Sequence, residues 1–340
     1  MKAAILGCSG LTLREEERQF FAKHEPVGFI LFGRNIQSPE QVMSLVSALK
    51  DCIAASNPLI LVDQEGGRVA RLRPPHWSKY PPAAQIGALY HQDNSEGELA
   101  AQLLGRLLGD DLAALGVNVD CAPVLDVHCE GAHDIIGDRA FGDTAEAVAH
   151  LGRKVGEGLM NSGVLPVVKH IPGHGRAGVD SHKALPIVDT PIDVLKRTDF
   201  AAFQKYADAP MAMTAHVIYS AIDSESPATI SQTVLRDIVR DYIGFNGLLM
   251  SDDLSMEALR GDMTSRTNAA IEAGCDIALH CNGDLTEMSD VVAACGVLTS
   301  QGKSRLDRAV ASVSGPDAMI NHDDAMDTLN SLLKGIAARV

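Results

Sequence analysis

Several short stretches of this chain gather side chains able to move protons or grip polar ligands, and each follows an apolar run. Asp63-Gln64-Glu65-Gly66-Gly67-Arg68, with Arg71 beyond, follows Val62, and Lys169-His170-Ile171-Pro172-Gly173-His174-Gly175 follows Val168. His216 follows Thr214-Ala215, and Asp252-Asp253 follows Ser251. A further pair stands in Asp180-Ser181-His182. In extended chain, residues i and i+2 lie on one side, so the Asp180 carboxylate can bond one nitrogen of His182 and leave the other for chemistry. Such pairing favours imidazolium and tunes the ring as acid and base near neutrality. An incidental Asp-x-His on a surface loop would read the same. The glycine-rich Pro172-Gly173-His174-Gly175 and Gly178 just before it, able to move over a site, favour the functional reading. At Asp252-Asp253 one acid can cap the next helix while the other faces a ligand. Ser251 extends the apolar run, which sets Asp252 nearest the axis of the fold, yet two adjacent acids forbid a single assignment from spacing. Arg71, Arg139, Lys169 and His170 are donors that, with Asp63, suit a hydroxyl-rich, uncharged or mildly anionic ligand such as a sugar.

The elements that must position these groups are short and aliphatic. Runs recur at Ala3–Leu6, Gly28–Phe32, Leu59–Val62, Val117–Cys121, Leu165–Val168, Met211–Ala215, Leu248–Ser251 and Asp276–Leu279. Each is too apolar to leave a face in water, as parallel strands buried on both faces must be. Helical patterns lie between them. Ser38-Pro39-Glu40-Gln41 is a capping box opening a helix to about Ala54. Glu96–Leu115 and Thr144–Met160 are amphipathic, with Gly116 and Gly163 as stops, and Ser231–Tyr242 is another helix. About eight strand–helix units, with no glycine-rich dinucleotide loop after the first strand, predict an α/β fold: one (β/α)₈ barrel rather than a doubly wound sheet. Residues 1–340 are expected to form a single catalytic domain, with a helical extension from about Ser300 packed on the barrel. Active sites of such barrels lie at the C-terminal strand ends, which is where the ionisable residues collect.

Composition narrows the function classes. Aromatics are 4% of 340 residues and Trp77 is the sole tryptophan, so the core is aliphatic. Lys and Arg total 29 against 44 Asp and Glu, a formal charge of −15, which argues against nucleic acid and anionic membrane as partners. Seven cysteines, an odd number without a C-x-x-C pair, read as buried free thiols of a reducing compartment. Ile5-Leu6-Gly7-Cys8 looks like a lipoprotein cleavage site, but the apolar stretch before it is too short for a signal peptide. No run approaches the ~18 apolar residues of a membrane helix. A cytoplasmic monomer acting on a small molecule, without metal or other cofactor, is the expectation.

Taken together and in order, the motifs Asp63-Gln64-Glu65-Gly66-Gly67-Arg68-Val69, Lys169 to Gly175 with Asp180-Ser181-His182, and Ser251-Asp252-Asp253-Leu254-Ser255-Met256 resemble the family 3 glycoside hydrolases. Among these the chain resembles the bacterial cytosolic β-N-acetylglucosaminidases of peptidoglycan recycling. The similarity runs from about Gly28 to Gly274. Ile171 and Ala140 depart from it, standing where phenylalanine and serine are common, and neither is a catalytic group. The resemblance implies Asp252 as nucleophile, His182 as acid/base and Asp180 as its partner. It implies Asp63, Arg71, Arg139, Lys169 and His170 as sugar ligands and places His216 near the sugar. Many β-glucosidases of the family take an acid/base glutamate from a second domain, for which a chain ending at Val340 is expected to have no room.

Three other readings use the same residues. His170, His174, His182, His216, Asp180 and Asp252 are of metal-ligand type, but no His-x-His follows the first strand and Lys169 would repel a cation. A non-catalytic muropeptide-binding barrel has no need of a complete acid–nucleophile set. A phosphorylase is the third, because a histidine acid repels incoming phosphate less than a carboxylate does.

Overall fold

The computed structural model describes residues 1–53, 57–179, 185–313 and 320–338. Eight strands, β1 (Lys2–Gly7), β2 (Pro26–Leu31), β3 (Leu59–Val62), β4 (Val119–Asp120), β5 (Leu165–Ile171), β6 (Met211–Thr214), β7 (Leu248–Asp253) and β8 (Ile277–His280), pair in chain order into a closed barrel. Every neighbouring pair is parallel, and β1 closes the ring on β8 through Ala4↔Ala278 and Ile5↔Leu279.

The strands have no polar face because alternate residues meet two different apolar layers. Ile5, Ile30, Leu61, Val119, Val167, Met213, Met250 and Ile277 fill the barrel interior. Leu6, Phe29, Ile60, Val168, Ala212, Leu249 and Ala278 pack outward against the helices. A period of two therefore carries Leu165, Val167 and then Lys169 inward along β5, and Leu59, Leu61 and then Asp63 inward at β3.

Outside lie α1 (Glu15–His24), α2 (Pro39–Lys50), α3 (Ala83–Gln92), α4 (Asn94–Ala114), α5 (Ala145–Asn161), α6 (Ile192–Arg197), α7 (Asp199–Gln204), α8 (Met263–Ala273) and α9 (Leu285–Ala294). Ser38 caps α2 by accepting the Gln41 N–H, and Thr144 caps α5 through the Ala147 N–H. Helix α2 ends at Lys50, and the expected end near Ala54 lies outside the described residues. The chain tightens after Lys50, where Cys52 and Ile53 donate to carbonyls only three residues back.

Between β6 and α8, Val234–Tyr242 winds as a π-helix rather than the expected α-helix, with Ile243 N donating to the Ile238 carbonyl. The buried pairs Val234/Val239 and Ile238/Ile243 share that wider spacing, so the π winding keeps one apolar face on the core. Then come α10 (Ser300–Ala311) and α11 (His322–Leu332). Helix α10 is tied to the barrel by Arg305, whose Nη1 lies 2.8 Å from Asp276 Oδ1 just before β8, and α11 lies against α4. Among the described residues no helix is long and apolar enough to cross a membrane.

Candidate active site

The C-terminal mouth of the barrel holds a cavity of about 260 Å³, lined among the described residues by groups from β2, β5, β6, β7 and β8 and from the loops after β3 and β4. Its charged wall begins at Asp63. Directly after it, Gln64–Gly66 and Val69–Ala70 form a short antiparallel hairpin. Buried Gln64 pins that hairpin, its side-chain oxygen accepting the N–H groups of Arg71 (2.8 Å) and Leu72 (3.0 Å). The fold-back brings Arg71 to 2.8 Å from Asp63 Oδ2.

Lys169, only 2% exposed, reaches Asp63 Oδ1 at 2.9 Å and Glu65 Oε1 at 2.7 Å. Arg139, from the 3₁₀ turn Gly137–Arg139, grips Glu65 with both Nε and Nη2 at 2.8 Å. Three cations thus share two carboxylates. Burial alone would raise both acids. For Asp63 it is outweighed by Lys169 and then Arg71, which hold its carboxyl well below the ordinary range. For Glu65 it is outweighed by Arg139 and then Lys169, which bring it to about 2. Burial would likewise lower Lys169, but Asp63 and Glu65 drive it above the usual lysine range. The result is a rigid, fully ionised set of donors and acceptors, suited to orienting several hydroxyl groups at once.

His170 forms another wall of the cavity. Its Nδ1 is 2.7 Å from Asp126 Oδ2, while Asp126 Oδ1 accepts the backbone N–H groups of His170 (3.2 Å) and His174 (2.6 Å). The burial of Asp126 is outweighed by these partners, so its carboxyl stays below the ordinary range. Burial, reinforced by the neighbouring His170, lowers His174 to about 4.

Asp252 and Asp253 both reach the cavity, because the register of β7 against β8 slips between Met250 and Asp253. Their bonding separates them. Asp253 Oδ1 accepts the N–H groups of Ser255 (3.0 Å) and Cys281 (3.2 Å), and Oδ2 accepts the Ser255 hydroxyl at 2.7 Å. It is a structural brace between β7 and β8. Asp252 Oδ1 accepts the Asp253 N–H at 2.8 Å, and the residue continues the inward phase of Leu248 and Met250 toward the cavity.

The structure therefore gathers Asp63, Arg71, Arg139, Lys169, His170 and Asp252 around one cavity. Asp180 and His182 lie outside the described residues. His216, expected near the sugar, is not among the described residues that wall the cavity. It is fully buried, with Nδ1 2.7 Å from Thr229 Oγ1 and Nε2 3.0 Å from the Asp253 carbonyl, so protein groups occupy both ring nitrogens. Sequence reasoning assigned no role to Glu65 or Asp126. Glu65 stands in the same motif as Asp63, and Asp126 lies in the loop after β4, at the same end of the barrel as the other acids.

The sequence profile described as the N-terminal domain of glycosyl hydrolase family 3 matches residues 2–314. A protein named beta-hexosaminidase from Alkalilimnicola ehrlichii is 40% identical over 284 residues, 82% of this chain and 80% of the relative. One of the same name from Nitrosomonas eutropha is 38% identical over 282 residues, covering 82% and 80%. The crystal structure of NagZ from Neisseria gonorrhoeae in complex with N-trifluoroacetyl-D-glucosamine superposes with a TM-score of 0.86 at 32% identity, covering 98% of both chains. The chain belongs to glycosyl hydrolase family 3 and is a glycoside hydrolase of the β-N-acetylhexosaminidase type.

Proposed function

We propose that this enzyme is a retaining exo-β-N-acetylglucosaminidase that releases terminal N-acetylglucosamine from peptidoglycan fragments, the disaccharide with 1,6-anhydro-N-acetylmuramic acid and its peptides. The observation that carries the reading is the small cavity whose wall joins the Asp63–Arg71–Lys169–Glu65–Arg139 charge cluster to Asp252. Its volume, about 260 Å³, is near the lower end of small-molecule sites, which suits one terminal sugar rather than a chain of them. The N-acylated glucosamine named for the Neisseria gonorrhoeae structure supports an acetamido sugar as the occupant. The peptidoglycan aglycone rests on the resemblance of the motifs. Seven free cysteines, six of them buried, suit a cytoplasmic enzyme.

In the first step a carboxylate oxygen of Asp252 attacks the anomeric carbon while His182 gives its proton to the departing glycosidic oxygen. The C–O bond to the aglycone breaks and a glycosyl ester forms. In the second, His182 takes a proton from water, the hydroxyl adds to the anomeric carbon, and Asp252 leaves as carboxylate, so configuration is retained. Asp180 holds the imidazole and stabilises its charged form. Asp63, Arg71, Arg139, Lys169 and His170 bind the hydroxyls and tighten on them as positive charge develops in the ring.

The test is turnover of an aryl β-N-acetylglucosaminide, with the aryl β-glucoside alongside, by wild type, D252A and H182A, with and without EDTA. Chelator-resistant cleavage of the acetamido sugar, abolished in D252A and lowered in H182A, is expected. Loss of activity only with EDTA would replace this reading with a metal hydrolase, and no turnover of either sugar by folded wild type would leave a binding protein.

A further inference from the structure

Behind Asp252 lies a set of groups that the proposed chemistry leaves without a task. Thr214 ends β6, His216 follows it, and Thr229 sits in the 3₁₀ turn Ala228–Ile230. All three are fully buried. The Asp252 N–H donates to Thr214 Oγ1 at 3.2 Å, and Thr214 Oγ1 lies 2.7 Å from Thr229 Oγ1. Thr229 Oγ1 lies 2.7 Å from His216 Nδ1, and His216 Nε2 lies 3.0 Å from the Asp253 carbonyl.

Donor and acceptor logic orients the whole set. A carbonyl only accepts, so His216 carries its proton on Nε2. Burial lowers His216 below the ordinary imidazole value, so the neutral ring offers a lone pair at Nδ1, which Thr229 satisfies with its hydroxyl proton. Thr214 then donates to Thr229 and accepts from Asp252. The Ala215 carbonyl, which receives the Thr229 N–H, also lies 3.1 Å from the Thr229 hydroxyl and can share its proton, at a longer distance than the 2.7 Å to His216 Nδ1. The bonds form one loop that leaves the chain at the Asp252 N–H and returns at the Asp253 carbonyl. From the opposite side, Ser251 bonds the Leu279 N–H of β8 and Asp253 bonds the N–H of Cys281 just after it.

We propose that Thr229 is a positioning residue for the nucleophile: through Thr214 and His216 it locks the backbone on both sides of the Asp252–Asp253 pair and so fixes the line along which Asp252 meets the anomeric carbon. The proposal rests on Asp252 being the nucleophile. Thr229 touches no substrate, and its hydroxyl acts only through the loop. Displacement of a reacting group by ~1 Å can cost ~10²-fold in rate, and a lock of this kind holds it below that.

The experiment compares kcat and KM for an aryl β-N-acetylglucosaminide in wild type, T229V, T229S, T214V and D252A, with circular dichroism and Tm for each. T229V keeps the branched shape and removes the hydroxyl. Its kcat is expected to fall ~10- to 100-fold with KM within ~2-fold, and T229S to restore kcat to within ~3-fold of wild type. T214V breaks the same loop at its other hydroxyl and is expected to lose kcat in the same way, which gives the readout if T229V does not fold. An unchanged kcat in whichever valine variant folds overturns the lock. Equal losses in T229V and T229S also overturn it, because shape rather than the hydroxyl would then be responsible. Full turnover by D252A removes the nucleophile assignment itself, a result distinct from D252A being inactive while T229V matches wild type.

Discussion

Asp126 Oδ2 lies 2.7 Å from Nδ1 of His170, and that contact decides which nitrogen His170 turns toward the cavity. With Nδ1–H given to Asp126, the ring keeps one tautomer and leaves Nε2 for a sugar hydroxyl. Asparagine at 126 offers one acceptor oxygen where the carboxylate serves three N–H groups. D126N is expected to lower kcat/KM for an aryl β-N-acetylglucosaminide by ~10- to 100-fold, the range for losing a hydrogen bond to a charged group. An unchanged kcat/KM would separate His170 from sugar binding.

Glu65 sets the acid limit of the site. Its folded-state value of about 2 lies below the ordinary ~4.3, so its contribution to stability is complete above about pH 4.3 and is lost as pH falls toward 2. Urea unfolding as a function of pH is expected to show wild type weakening through that window. E65Q should be less stable by about 3–5 kcal/mol at neutral pH, since Lys169 and Arg139 lose a buried partner, and should show a shallower slope below pH 4.3.

His174 contributes a second slope, at higher pH. A ring lowered to about 4 takes up its proton later than in the unfolded chain, at ~6.5. The unfolded state binds more protons between these values, so stability rises with pH from about 4 to ~6.5 and is level above. H174Q should flatten that rise in the same urea series.

A Cβ on Gly175 would sit 1.8 Å from the Val127 carbonyl oxygen, so two backbones touch where the Lys169–Gly175 loop crosses the loop after β4. G175A is expected to cost at least ~1–3 kcal/mol, as overpacking does, and to lower kcat by shifting His170 and His174. Denaturant midpoints and kcat measured together check both effects.

Every barrel strand was legible because a parallel strand buried on both faces can only be a short aliphatic run. The same double burial hides the phase. Leu248, Leu249 and Met250 are equally apolar, so nothing in that run tells which residues face the axis, and the Asp252/Asp253 choice had to come from the resemblance. In the structure Asp253 commits its carboxylate to Ser255 and Cys281, which supports the same choice. The family resemblance alone puts His216 near the sugar. Its partner Thr229 lies on a later turn, and only tertiary contact shows that both ring nitrogens are occupied. Glu65 carries no role in the sequence reading because Lys169 on β5 and Arg139 on the 3₁₀ turn after β4 reach it from elements that sequence does not place beside it.

The central claim is that Asp252 carries the sugar covalently, and trapping tests it most directly. An activated 5-fluoro-N-acetylglucosaminyl fluoride has a good leaving group for the first step and a fluorine that slows the second by disfavouring positive charge in the ring. Incubation with the enzyme, intact mass spectrometry and peptide mapping should show one glycosyl adduct per chain, on Asp252, and none in D252A. Continued cleavage of the aryl substrate with no adduct, or with the adduct on another residue, would contradict the assignment.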